Sequence, residues 1–193
     1  MRRTTTALAA AALLVATLTA CQDEITTEPT KTGAAEAPAA SETPADAEPT
    51  PTKTTAAKVG DTITLTGNED GEQVDATLKK WITGAKSADD FTAPEDGNVW
   101  VAAQFELTNT GKAVYSDSPS NGAQVADTDG QRFQATYADI TVGPSMTSSA
   151  KVPPGEKVLG WITFEVPKAS KIASVQFALN SGYADQTGQW TVS

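Results

Sequence analysis

Residues 99–108 read Val99-Trp100-Val101-Ala102-Ala103-Gln104-Phe105-Glu106-Leu107-Thr108. Val99, Val101, Ala103, Phe105 and Leu107 alternate with Trp100, Ala102, Gln104, Glu106 and Thr108, the period-two pattern of a strand with one face in a core. The pattern recurs at Val158, Gly160, Ile162, Phe164 and Val166, and again at Ala173, Val175, Phe177 and Leu179. Shorter strands are expected at 63–65, at 74–82, around Val125, at Phe133-Ala135-Tyr137 through alternate positions, and at 190–192. Turn signals separate them, among them Asn68-Glu69-Asp70-Gly71, Asp96-Gly97-Asn98, Asp129-Gly130 and Pro153-Pro154-Gly155. No stretch carries a helical stripe for three turns. Six to eight strands without a crossover helix predict an all-β fold, an antiparallel β-sandwich over residues 59–193.

Outside that region the composition changes. All 12 aromatic residues lie at or beyond Trp81, and the first 58 residues contain none. Across residues 22–58 there are nine Thr, nine Ala and five Pro, with seven acids against three lysines. Such a segment buries too little apolar surface to offset chain entropy, and its prolines recur too often for a helix. It reads as a disordered linker, spanning ~35 Å as a coil or ~115 Å as polyproline II.

The chain has 193 residues, with 14 Lys+Arg against 24 Asp+Glu and a formal net charge of -10. Nothing basic is available to displace counterions, so nucleic acid is not an expected partner. The absence of histidine excludes histidine triads, histidine proton shuttles and histidine-ligated metals. The single cysteine excludes an intramolecular disulfide and a Cys-rich zinc site.

The N-terminus has the layout of a secretion signal. Arg2-Arg3 is a short positive region, and Ala7 to Ala20 is an apolar run of 14 residues, too short for a ~20-residue membrane span. The run ends Leu18-Thr19-Ala20-Cys21, which resembles the bacterial lipoprotein box. That resemblance implies removal of residues 1–20 and a diacylglyceryl group on the Cys21 sulfur. Two or three acyl chains would hold the protein on the bilayer indefinitely, where one binds reversibly. The alternative is an ordinary signal cut near Ala20 that leaves Cys21 a free thiol. The expected organisation is a signal at 1–20, a lipid-anchored stalk at 21–58 and one folded domain at 59–193.

A second resemblance rests on Gln104-Phe105-Glu106-Leu107-Thr108-Asn109-Thr110-Gly111, on Asp127-Thr128-Asp129-Gly130, and above all on Pro154-Gly155-Glu156 followed by Gly160-Trp161-Ile162-Thr163-Phe164-Glu165-Val166-Pro167. This order is similar to a family of bacterial surface lipoproteins whose immunoglobulin-like domain is of unknown function. That family is related in fold to a small secreted immunoprotective antigen. The resemblance implies an immunoglobulin-like sandwich on the outer face of the cytoplasmic membrane, and it carries no functional residue.

Chemistry-bearing groups are sparse. Asp127-x-Asp129-Gly130 begins like a calcium loop, but Phe133, Thr136 and Ala138 stand where further oxygens would be needed, and a hairpin turn accounts for Asp129-Gly130. No two acids are paired at a defined separation, and no activated Ser, Lys or Thr arrangement stands out, so no enzyme, metal site or cofactor is expected. Trp100 and Trp161 are out of phase with the apolar faces of their strands. If those strands are the third and sixth of an immunoglobulin-like sandwich, they are neighbours in one sheet and both indoles project from its outer face. Either they anchor a protein partner, or a loop such as 116–122 or the stretch from Tyr183 covers them. The expected function is therefore a lipid-anchored, non-catalytic module that binds another envelope or extracellular protein. A module for calcium or a small envelope molecule is the rival, and a carboxylate hydrolase a distant third.

Cys21→Ser should release the protein from membranes, and the native protein should carry acyl mass on Cys21. An unmodified thiol by intact-mass analysis would overturn acylation.

Overall fold

The computed structural model describes residues 24–30 and 56–193. Its strands are β1 (Glu24–Thr26), β2 (Thr62–Thr66), β3 (Gln73–Thr83), β4 (Asn98–Asn109), β5 (Tyr115–Asp117), β6 (Ala123–Asp127), β7 (Arg132–Thr136), β8 (Ala150–Val152), β9 (Lys157–Pro167), β10 (Ile172–Ala178) and β11 (Gln186–Thr191). The long strands are those with the longest alternation. β4 and β9 pair antiparallel over 11 residues, from Asn98↔Pro167 to Thr108↔Lys157. Among the described residues, no helix is long and apolar enough to cross a membrane.

The strand order β1-β11-β10-β6-β7-β9-β4-β3-β2 folds into two layers because β7 changes partner along its length. Arg132, Phe133 and Gln134 pair with β6, whereas Ala135 and Thr136 pair with β9. One layer is thus β1-β11-β10-β6 and the other β9-β4-β3-β2, an immunoglobulin-like antiparallel β-sandwich. β5 and β8 form a separate two-stranded ribbon.

The in-phase residues meet between the layers. Phe105 of β4 packs against Phe177 of β10 with ring centroids 5.2 Å apart, and against Trp190 of β11 at 5.4 Å and 73°. Such tilted pairs contribute about 0.5–1.5 kcal/mol each beyond the burial of their area. Leu65, Leu78, Leu107, Ile162 and Phe164 complete the same core, all at most 1% exposed.

Three short strands carry no alternation of their own and lie outside the expected set: β1, β5 and β8. The most consequential is β1. Residues 24–30 were expected in the stalk by composition, yet β1 pairs parallel with β11, Glu24↔Gln186 through Thr26↔Gly188. Composition misleads here because the pairing uses backbone and threonine hydroxyls, which need no apolar side chain. Cys21, the signal residues and the stretch 31–55 lie outside the described residues.

Gly160 of β9 admits a close backbone neighbour from outside its sheet. Met146 N–H donates to Trp161 O at 2.7 Å, and Trp161 N–H donates to Pro144 O at 3.0 Å. The segment 144–146 therefore runs against β9, where a Cβ on residue 160 would stand 2.4 Å from Met146 Cα. Gly160→Ala should lower stability by ~1–3 kcal/mol, as overpacking against backbone does. Urea unfolding measures this, and an unchanged midpoint would contradict the close approach.

Candidate binding cleft

Cross-strand register puts Trp100 and Trp161 on the outer face of the β4–β9 pair, as alternation requires. They are not exposed there. Trp100 is 2% and Trp161 4% exposed, clustered with Ala102 and Ile140. Of the two alternatives, an exposed anchor for a protein partner or a pair covered by a loop, the burial matches the second: a loop covers them. Its identity differs from the two candidates, 116–122 and the stretch from Tyr183.

The cover is made by residues 85–92 and 137–146, held by backbone bonds. Ala85 N–H donates to Trp100 O at 2.9 Å, Ala88 N–H to Asp139 O at 2.9 Å, and Thr141 N–H to Lys86 O at 3.0 Å. Ser87 and Ile140 form an antiparallel bridge, and Thr163 Oγ1 donates to Ala138 O at 3.3 Å. The apolar contribution is Ile140, with Ala85 and Ala138 beside it. A single isoleucine among short residues gives no periodic signal, which is why the cover is invisible to pattern reading. The cover ends halfway along the sheet. Beyond it Glu106 meets Lys79 at 3.6 Å and Lys157 at 2.8 Å, and Leu159 is half exposed.

Of the two indole N–H groups one is paired and the other is not. Trp100 Nε1 donates to Glu165 Oε2 at 3.1 Å, while Asn98 Nδ2 and Glu95 N–H donate to Oε1 at 2.9 and 2.8 Å. These donors, the Asn98 amide first, hold the Glu165 carboxyl below its ordinary range. Trp161 Nε1 is buried without a hydrogen-bond partner and packs under Gly143, where a Cβ would stand 3.0 Å from it. An unpaired buried donor costs about 1–3 kcal/mol.

Between the two covering segments lies a cleft of about 320 Å³. Asp89, Thr92, Asp139, Ser145 and Thr163 line it, with Trp161 in its wall. Tyr137 lines the cleft while remaining 77% exposed, and Phe91, two residues from Asp89, is 97% exposed. Asp89 accepts from Phe91 N–H and Thr92 N–H at 2.7 Å each and from Thr92 Oγ1 at 3.0 Å. Led by the Phe91 amide, these bonds lower its pKa, so the carboxyl stays ionised. Ser145 Oγ donates to Asp139 at 2.7 Å. Nothing in the sequence pattern connects Asp89 with Tyr137, 48 positions away.

The Asp127 loop has a structural use. Asp127 Oδ1 accepts from Asp129 N–H at 3.0 Å and Gln131 N–H at 2.8 Å, closing the β6–β7 hairpin. Among the described residues, no group of three acids or cysteines is placed to hold a metal ion.

Trp100→Ala and Trp161→Ala should each cost ~3–5 kcal/mol, as truncation of a buried tryptophan does. Trp161→Phe should be close to neutral, because it removes an unpaired donor, whereas Trp100→Phe should destabilise by stripping a bond from Glu165. The depressed pKa of Glu165 gives stability present above its unfolded-state value and lost as pH falls through the folded one. Acid unfolding of Glu165→Gln should accordingly show a shallower pH dependence than the parent.

No curated protein matches the sequence. Among solved structures, the chain is similar to the secreted protein MPT63 of Mycobacterium tuberculosis, at 19% identity and a TM-score of 0.52. That match covers 70% of this chain and 95% of the other. It is also similar to YcdA, a candidate lipoprotein of Bacillus subtilis, at 15% identity and a TM-score of 0.51, over 70% of this chain and 38% of that one. At these identities the likeness shows a shared fold. A family model described as a domain of unknown function (DUF4352) matches residues 68–187, from the turn before β3 into β11, and the chain belongs to that family.

Proposed function

We propose that the protein is a non-catalytic binding module of the cell envelope, lipid-anchored at Cys21, whose cleft takes a small polyhydroxylated ligand such as an envelope saccharide. The observation that carries this reading is Tyr137, 77% exposed at the rim of a cleft of about 320 Å³ walled by hydroxyls and carboxylates. A ligand site built for an apolar molecule is lined mainly by hydrophobic side chains, which this one is not. The carboxyl oxygens of Asp89 and Asp139 can accept from ligand hydroxyls, Thr92 and Thr163 can donate or accept, and the phenol ring offers an apolar face to sugar C–H groups.

The first expectation, a module for a protein partner, rested on Trp100 and Trp161 as surface anchors, and their burial removes that support. Asp89, whose carboxyl accepts from Phe91 N–H, Thr92 N–H and Thr92 Oγ1, is arranged as a fixed acceptor at the cleft, which suits holding a ligand hydroxyl. The outward location is supported by the two similar structures, one of a secreted protein and one of a candidate lipoprotein.

Titration calorimetry of the Cys21→Ser protein with soluble envelope oligosaccharides should give saturable heat. Tyr137→Ala should weaken that binding tenfold or more while leaving the melting temperature unchanged. Absence of saturable heat, or a Tyr137→Ala variant that binds as the parent does, would overturn the saccharide reading. Saturable heat with calcium chloride alone would favour the calcium module instead.

A further inference from the structure

We propose that the sandwich lies directly against the lipid surface, held there by β1, and is not carried away from it on a spacer. The lipid half of this proposal rests on acylation of Cys21; the other half rests on the seam between the two layers.

At that seam β2 and β11 approach each other, and Thr66 N–H donates to Gln186 Oε1 at 2.9 Å. Residues 24–30 lie along it and bond to both strands. On the β11 side, Gln186 Nε2 donates to Thr26 Oγ1 at 2.8 Å, beside the parallel pairing of β1. On the β2 side, Thr30 N–H donates to Thr62 O at 2.8 Å, and Thr64 N–H donates to Thr30 Oγ1 at 3.1 Å. The later part of the chain returns to the same place. Ala57 N–H donates to Thr27 O at 2.6 Å, Thr191 N–H donates to Ala57 O at 2.8 Å, and Ala57 is fully buried.

The chain thus touches the domain at Thr30 and again at Ala57, with the two contacts side by side. Whatever the path of residues 31–55, they add nothing to the distance between Cys21 and the sandwich. That distance is set by the three residues from Cys21 to Glu24, at most about 11 Å when fully extended. A free spacer over residues 22–58 would give ~35 Å as a coil. The difference is large enough to be read directly. It also has an orientation: β1 and β2, the two ends of the strand order, share the seam, while β7 and β9, which flank the cleft, stand in the middle of that order, where β7 joins the two layers on the side away from the seam. A seam turned to the lipid leaves the cleft facing away.

Two measurements separate the halves of the proposal. In the soluble Cys21→Ser protein, hydrogen exchange at the Thr30 and Ala57 amides should be ~100-fold or more slower than in an unstructured chain. Exchange at unstructured rates overturns the seam, whatever the state of Cys21. In the acylated protein on phosphatidylcholine vesicles, energy transfer is read from a donor on Ser193→Cys to a headgroup-labelled acceptor lipid. Deleting residues 36–50 should leave the transfer unchanged, and Thr26→Pro, which disrupts the β1 pairing, should lower it. Transfer that rises on the deletion shows a spacer and overturns the proposal. Failure to float with vesicles, together with an unmodified Cys21, overturns the lipid half alone.

Discussion

The contact of Phe105 with Phe177 and Trp190 is the interaction on which the architecture turns. It joins β4 at the centre of one layer to β10 and β11 of the other, and each ring is fully buried. Trp190 also ties this centre to the margin, since its Nε1 donates to Asp61 O at 3.0 Å, just before β2. The indole fills the core with its apolar body and satisfies its one donor at the seam. Register in β4, β10 and β11 is fixed by this meeting, because a slip of one residue would turn each aromatic ring to the other face.

With that register set, the outer face of β4 and β9 acquires a problem of its own. Trp100, Ala102 and Trp161 emerge side by side, and apolar area of that size needs cover. The chain supplies it from two segments with little hydrophobicity, relying on backbone bonds to the sheet and on Ile140 as a peg. A cover made of polar backbone and short side chains leaves hydroxyls and carboxylates at its margins. The polar cleft beside Tyr137 is therefore a by-product of burying two tryptophans with a hydrophilic lid.

The edge at the seam solves the reverse problem. A sandwich with unpaired edge strands exposes backbone donors and acceptors, which invite pairing with another chain. Residues 24–30 and Ala57 occupy that position, and the threonines of the segment supply hydroxyls where apolar side chains are lacking. That edge is thus closed by the segment nearest Cys21, and the cleft lies on the side away from it.

Alternation in residues 99–108, 158–166 and 173–179 determined by itself that the chain folds as strands, which residues point inward, and that Trp100 and Trp161 each point away from the apolar face of their own strand, because side chains in a strand alternate with a period of two whatever surrounds them. Turn residues such as Asp129-Gly130 and Pro154-Gly155 were equally local, since a positive φ at Gly130 and Gly155 is a property of the single residue. The pairing of β4 with β9, the burial of those tryptophans, the placing of residues 85–92 beside residues 137–146, and the docking of residues 24–30 at the seam were decided only by tertiary structure. Each joins stretches far apart in the chain through backbone bonds, and a backbone N–H or C=O is the same at almost every position, so no residue type announces where it will pair.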